Sequence, residues 1–211
     1  MARTSHILAA LLAAPLAAQA QPAAQPTPPP AEDIGSWRLA CAVDPMTDRA
    51  ACLLRHRDWV ERPAGSGTGL ALEIIDRGGR LVPAVTARDL TLDSATRGLL
   101  ALSGTAQVRF PPNPLFEMPC GLDGRSIICA PRAEDAARAE AEVLAADRAL
   151  VRVVGGGGGT GSGEPTELRL AGTQEALARF ARQAPPGSAA SDSQGFDMPE
   201  MMRRFMRLFG N

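Results

Sequence analysis

Short apolar stretches, separated by glycine, proline and aspartate, follow one another from Ile34 to about residue 183. Several of them alternate with a period of two; in residues 70–75 the even positions are Leu70, Leu72 and Ile74. Alternation of this kind is typical of β-strands that turn one face inward. The pattern predicts strands at residues 37–43, 51–59, 70–76, 80–86, 99–102, 106–110, 116–120, 126–130, 150–154 and 167–170.

Two segments depart from the strand pattern. Residues 132–147 follow Pro131 and are rich in alanine, glutamate and arginine, which predicts a helix. A second helix is predicted from about Thr173 to Gln183, with Thr173 as its N-cap. Many short strands with few helices predict a mainly β fold, either a β-sandwich or an open barrel, with one Ala-rich helix and short C-terminal helices. Residues 34–183 are enough for one such domain.

The N-terminal 20 residues have the layout of a secretory signal peptide. Arg3 supplies the positive region, residues 7–18 are apolar, and Ala18-Gln19-Ala20 fits the rule of small residues at a cleavage site. The apolar run is too short to span a bilayer, which takes about twenty residues. We therefore expect export to the periplasm or beyond, with cleavage near Ala20. Residues 21–33 are proline-rich and predict an extended spacer.

Export changes the interpretation of the four cysteines, because disulfides are the default state in an oxidising compartment. Of the three possible pairings, the shortest loops favour Cys41–Cys52 with Cys120–Cys129. The alternative, a four-cysteine zinc site, requires closely spaced thiolate pairs such as C-x2-C, and the intervals in this chain are longer.

Turn signals support the same pairing. If Gly124 and Arg125 are the central residues of a type II′ turn, the flanking strands place Cys120 directly opposite Cys129. A second turn signal, residues 44–48, lies midway between Cys41 and Cys52. Both disulfides are therefore predicted to bridge β-hairpins.

Composition excludes several classes of function. All 22 cationic side chains are arginine, tyrosine is absent, and histidine occurs only at positions 6 and 56. Without lysine there is neither a phosphate-binding P-loop lysine nor a Schiff-base amine. The formal net charge of −1 argues against a nucleic-acid partner. We interpret His56, between Arg55 and Arg57, as a surface residue, and the glycine-rich residues 155–163 as a connector.

Residues 35–183 contain a series of landmarks in a fixed order. They are Gly35-Ser36-Trp37, Cys41 and Cys52, Cys120 and Cys129, an Ala-rich helix that leads into a strand, and Leu168-x-Leu170-x-Gly172 followed by Ala176 and Leu177. This series resembles the invasion-associated locus B family of exported proteins of Gram-negative bacteria. The chain differs from the family pattern in the wider spacing of its second cysteine pair and in residues 88–104. The resemblance implies a small, disulfide-braced periplasmic or envelope protein, associated with host contact or stress, with no enzymatic residues.

The C-terminal tail, residues 196–211, follows a linker at 184–195 that is rich in proline, glycine and serine. At 100° per residue its apolar side chains fall within an arc of roughly 160°, which predicts a basic amphipathic helix. The apolar arc contains Met198, Met201, Met202, Phe205, Met206, Leu208 and Phe209, and the other side contains Glu200, Arg203, Arg204 and Arg207.

Four interpretations of this helix are open. It folds back on its own domain, docks in a groove of an envelope protein, lies on an anionic membrane surface, or captures copper(I) through Met198, Met201 and Met202. The phenylalanines and the leucine on the same side favour a hydrophobic contact surface over a metal site.

We therefore predict an exported binding protein without catalytic activity, cofactor or metal, with an unidentified ligand. The alternatives are an envelope hydrolase with a carboxylate site that no motif marks, and the copper-binding role. The predicted interaction residues are Met198, Met201, Met202, Arg203, Arg204, Phe205, Met206, Arg207 and Phe209.

Overall fold

The computed structural model describes residues 30–43, 45–46, 48, 50–63, 68–90, 104–155 and 163–187 of the 211-residue chain. The predicted signal peptide, most of the spacer, the strand at 99–102, most of the glycine-rich connector, most of the linker and the whole tail lie outside these residues.

The fold is mainly β, as the sequence predicts, and nine of the predicted strands correspond to strands in the structure. The strand that the sequence did not predict is the first one, which begins inside the predicted spacer and pairs with the second strand. The described elements are β1 (Ala31–Ile34), β2 (Trp37–Val43), β3 (Ala50–Glu61), β4 (Leu70–Arg77), β5 (Arg80–Ala87), β6 (Thr105–Arg109), β7 (Phe116–Asp123), β8 (Ser126–Cys129), a 3₁₀ turn (Ala133–Asp135), α1 (Ala136–Ala145), β9 (Arg148–Val154), β10 (Thr166–Arg169) and α2 (Thr173–Gln183).

The ten described strands form one antiparallel sheet in the order β1-β2-β3-β4-β5-β8-β7-β6-β9-β10. The sheet curls until β10 lies beside β3. The two strands are joined there by side chains rather than by a ladder: Thr166 Oγ1 donates to the carbonyl oxygen of Val60 at 3.0 Å. Of the two predicted architectures, the structure is therefore the open barrel.

Inward-facing side chains of the curled sheet form a single core. The predicted inward residues Leu70, Leu72 and Ile74 are buried in it, together with Trp37. Helix α1 covers part of the interior, where its Ala139 and Val143 belong to the same core. Its polar side is fixed to the start of β5, because Glu140 accepts hydrogen bonds from Arg80 Nη1 at 2.8 Å and from the N–H of Leu81 at 3.4 Å.

Both disulfides bridge hairpins. The β2–β3 register places Cys41 opposite Cys52, and the β7–β8 register places Cys120 opposite Cys129. Gly124 has a φ of 55°, which the first central position of a type II′ turn requires. The four cysteines are thus paired as the turn signals predict.

The β1–β2 turn is packed tightly against the loop between β10 and α2. The N–H of Ser36 donates to Ala171 O at 2.9 Å, and Ser36 Oγ accepts from the N–H of Ala171 at 3.1 Å. Gly35, with a φ of 58°, makes this approach possible, because a Cβ at this position would lie 2.2 Å from Ala171 O. The turn is therefore specified by glycine for two reasons, its φ angle and its contact with backbone.

The start of α2 differs from the prediction. Gly172, with a φ of 73°, occupies the N-cap position, and Thr173 is the first helical residue. The Thr173 hydroxyl has another role: it accepts a hydrogen bond from Trp37 Nε1 at 3.0 Å and donates to Leu170 O at 3.3 Å. The hydroxyl is used for tertiary contact because Trp37 would otherwise bury an unpaired indole N–H.

We expect Gly35→Ala to destabilise the fold much more than Gly78→Ala. Both glycines have positive φ, but a Cβ on Gly78 would meet nothing within 4 Å. Gly78→Ala therefore measures the conformational penalty alone, about 1 kcal/mol, and Gly35→Ala should lose at least about 2 kcal/mol more. Urea unfolding followed by circular dichroism measures both. Equal losses would show that the approach to Ala171 does not restrict this turn.

We also expect Thr173→Val, which keeps the volume but removes the hydroxyl, to lower the free energy of unfolding by about 2 to 3 kcal/mol, because it leaves the Trp37 N–H without an acceptor. Thr173→Ser keeps the hydroxyl and should lose only about 1 kcal/mol for the buried methyl group. The same urea titrations compare the two. A Val variant as stable as the wild type would contradict the role assigned to this hydrogen bond.

Candidate functional site

The predicted interaction residues of the tail, Met198 to Phe209, lie outside the described residues, so their arrangement stays a prediction. The structure does show where the chain approaches this segment. The last described residue, Gly187, donates its N–H to the carboxylate of Asp76, beside the turn between β4 and β5. The described part of the chain therefore ends beside one end of these two strands.

His56 is buried, with 1% of its surface exposed, so the interpretation of this residue as a surface histidine is wrong. Its Nε2 lies 2.8 Å from the carbonyl oxygen of Arg169, which only accepts hydrogen bonds, so in the neutral ring Nε2 carries the hydrogen. Nδ1 then accepts from the N–H of Asp58 at 3.0 Å. Both ring nitrogens are hydrogen-bonded to backbone groups, so neither is available to abstract a proton from a substrate.

A strand pattern identifies this position in retrospect. Leu54 and His56 are two residues apart on β3, and Leu54 is buried in the core. The ladder places His56 opposite Trp37, and the two rings make an edge contact with centroids 5.6 Å apart. The flanking arginines led to the wrong interpretation, because charged side chains are typical of a solvent-facing position. Neighbouring residues of a strand face opposite sides, so His56 faces inward between them.

An open pocket of about 320 Å³ lies beside the junction of β3 and β10. Arg148 and Arg169 are direct partners in the β9–β10 ladder, and like charges directly opposite each other repel. Arg148 Nη1 lies 3.8 Å from Glu167 Oε1. Two cations and two carboxylates in an exposed depression suit weak binding of polar groups. The lining residues are Asp147, Arg148, Glu167, Arg169, Leu170 and Ala171.

A second charged group lies on the outside of β1 to β3. Arg38 donates from Nε to Asp33 Oδ1 at 2.7 Å and from Nη2 to Oδ2 at 3.1 Å, and Arg57 Nε is 3.7 Å from Asp33 Oδ2. The hydrogen bonds from Arg38 lower the pKa of Asp33, and the same contacts raise the pKa of Arg38. This pair is exposed, so it orients the edge of the sheet rather than forming an enclosed site.

Glu73 is a fully buried carboxylate that the sequence analysis did not single out. Arg88 donates to Oε2 of Glu73 from Nη2 at 2.7 Å and from Nε at 3.0 Å. Within the described residues, Glu73 Oε1 has no hydrogen-bond partner, and the same holds for the buried Thr86 Oγ1 on the neighbouring strand. Two unsatisfied polar atoms on one buried face require an explanation, since each costs free energy when it is left unpaired.

In the part of the chain that the structure describes, no cluster of three or more His, Cys, Asp or Glu side chains is arranged to hold a metal ion. The helices of that part are too short or too polar to cross a membrane.

Comparisons with known proteins give one structural likeness. The chain is similar to the crystal structure of invasion associated protein B from Bartonella henselae, with 13% sequence identity, a TM-score of 0.41, and coverage of 72% of this chain and 96% of that chain. The name of that protein corresponds to the family that the sequence resembles. No protein-family model and no curated protein matches the chain.

The Asp33–Arg38 pair predicts a pH dependence of stability. Because the pKa of Asp33 is lowered in the folded state, the pair stabilises the fold at pH values above the ordinary pKa of aspartate, about 3.9, and this stabilisation is lost as the pH falls through the lowered value. The difference in free energy of unfolding between the wild type and Asp33→Asn should therefore be constant from neutral pH to about pH 5 and shrink below about pH 4.

Denaturant titrations across this pH range measure the effect. In an Arg38→Gln background the Asp33→Asn difference should be small and nearly independent of pH. A pH-dependent difference of the same size in that background would contradict the assignment to Arg38.

Proposed function

We propose that the protein is an exported binding protein of the bacterial envelope, active in the periplasm or outside the cell, and that it acts without catalysis. The observation that carries this proposal is the pair of disulfides, Cys41–Cys52 and Cys120–Cys129, which account for all four cysteines of the chain. Such bonds persist in oxidising compartments and are rare in the cytosol. They agree with the signal peptide predicted for residues 1–20.

The geometry of the described polar residues supports binding more than catalysis. A general base needs a free acceptor within hydrogen-bond reach of a substrate proton, and both nitrogens of His56 are engaged by backbone groups. The pocket beside Arg169 is open to solvent, whereas catalytic groups work best where water is excluded. An exposed, charged depression on a rigid barrel is better suited to contact with a partner.

The contact element that we propose is the C-terminal helix, residues 196–211. Its methionines adapt to irregular apolar surfaces, and Arg203, Arg204 and Arg207 provide positive charge for acidic side chains or for lipid headgroups. A protein of the envelope is the proposed partner, and an anionic membrane surface is the other outcome of the test.

A capture experiment from envelope extract tests the proposal. The mature chain should retain a partner that a chain ending at Pro186 does not, and the partner, once identified by mass spectrometry and purified, should bind the mature chain directly. The double substitution Met202→Glu with Phe205→Glu, near the centre of the apolar arc, should weaken this binding by about 100-fold. Each change replaces a large apolar side chain that would be buried against the partner by a charged one. Glu200→Gln, on the polar side, is the matched control.

Sedimentation with vesicles of phosphatidylethanolamine and phosphatidylglycerol separates the membrane outcome from the protein outcome. If both chains recover the same partners, or neither recovers any and neither sediments with vesicles, the role of the tail is wrong.

A further inference from the structure

Strands β4 and β5 are buried on both of their faces. The inner face contributes Leu72, Ile74, Leu81 and Val85 to the core. The outer face, by the alternation of the strands and their register, includes Ala71, Glu73, Val82, Ala84 and Thr86, each at most 2% exposed, and Ile75, which is partly buried near the hairpin end. Its apolar members do not belong to the central core.

The apolar residues of α1 pack in the core on the inner side of β5, and on the outer side the helix reaches only Arg80, at the start of the strand, through Glu140. Its Ala139 and Val143 share the core with Leu81 and Val85, which point inward. The cover of the outer face therefore has to come from another part of the chain.

The positions of the chain ends favour the tail. Gly187 is hydrogen-bonded to Asp76 and is close to Gly79, so residue 188 continues from the end of the β4–β5 hairpin. The residues that flank 91–103 lie instead at β7 and β8, because Leu90 N–H donates to Arg125 O at 2.8 Å and Gly104 O accepts from Cys120 N–H at 3.1 Å. Those strands lie on the side of β5 away from β4.

The lengths agree. The eight residues 188–195 span at most about 26 Å when extended, which exceeds the distance from the hairpin turn to the middle of the outer face. A helix over residues 196–209 is about 21 Å long, and a strand of the length of β4 is about 26 Å long. A helix of this length is long enough to cover most of the face, and the linker is long enough to reach it.

The charges of the tail and of the outer face are also complementary. Glu73 Oε1 is buried and has no partner within the described residues, since Arg88 uses only Oε2. On the predicted helix, Arg203 and Arg204 border the apolar arc, about 60° and 40° beyond its edges at 100° per residue, and Arg207 lies on the opposite side. A long arginine side chain at the border reaches along the apolar surface toward the strands.

We infer that residues 196–209 dock with their apolar arc on the outer face of β4 and β5, with Arg203 or Arg204 pairing with the free oxygen of Glu73. An envelope partner then competes with this face for the same methionines and phenylalanines. The inference rests on the proposed function only for the identity of the tail as the contact element, and its test needs no partner.

Methionine oxidation by dilute peroxide, followed by peptide mass spectrometry, tests the docking in the full mature chain. Met46 is 89% exposed and Met118 is 0% exposed, so the protein contains its own fast and slow references. The reporters are Met198, Met201, Met202 and Met206. They should oxidise about tenfold more slowly than Met46, which corresponds to a docked population of about ten to one.

Substitutions in the barrel and in the tail test whether the outer face of β4 and β5 protects the reporter methionines from oxidation. Glu73→Gln should raise the reporter rates several-fold toward that of Met46, and Glu167→Gln, an exposed carboxylate elsewhere, should leave them unchanged. Arg203→Gln with Arg204→Gln should also raise them, whereas Arg207→Gln should not. The rate of Met118 reports whether the barrel stays folded; if Glu73→Gln unfolds it, the tail arginine variants decide.

Reporter rates equal to that of Met46 in the wild type overturn the inference. If the reporters oxidise slowly but neither Glu73→Gln nor the Arg203/Arg204 variant changes their rates, the tail lies on another surface. That result also overturns the inference. Protection that disappears on tenfold dilution shows that a second copy supplies the cover. Equal effects of Arg207→Gln and the Arg203/Arg204 variant reject the pairing with Glu73. None of these outcomes affects the capture experiment for the proposed function.

Discussion

The junction between β3 and β10 is the constraint on which the fold depends. The sheet curls until its last strand, β10, lies beside β3, and side chains bridge this region. His56 contacts Arg169 and Thr166 contacts Val60 between the two strands, and Trp37 of β2 contacts Thr173 of α2 next to them. Buried and partly buried polar contacts of this kind require strict geometry, because each group left unpaired in the interior would cost about 1 to 3 kcal/mol. They hold the first hairpins against the last strand and helix, which are more than 100 residues away in the chain, and Arg169, whose carbonyl oxygen accepts one of these bonds, also lines the pocket.

The disulfides stabilise individual hairpins rather than the contact between β3 and β10. Each joins two strands that already pair in a hairpin, so it constrains local register and leaves the barrel junction noncovalent. Closing loops of this size contributes roughly 3 kcal/mol by loop entropy. The β2–β3 hairpin projects beyond its bridge, with Val43 65% exposed and Met46 89% exposed. The Cys41–Cys52 bond therefore joins the two strands at the base of these exposed apolar side chains.

The polar residues show how far sequence reasoning extends into the candidate site. The flanking arginines of His56 indicated solvent, and the contacts that bury it come from Trp37 and from Arg169, 113 positions away. Glu73 looked like an ordinary outward residue of an alternating strand, yet the outer face of β4 is covered. The pairing of Arg148 with Arg169 depends on the β9–β10 register across a connector. None of these environments is encoded within a window of ten residues.

What the sequence determined by itself is local. Strand periodicity, the glycine of the β7–β8 turn and the cysteine spacing specify hairpin registers and hence both disulfides, because all the interacting groups lie within about a dozen positions. The tertiary structure alone decided between a sandwich and an open barrel, buried His56 and Glu73, and moved the N-cap of α2 from Thr173 to Gly172. These outcomes depend on contacts between distant segments, and burial changes which partner each polar group needs.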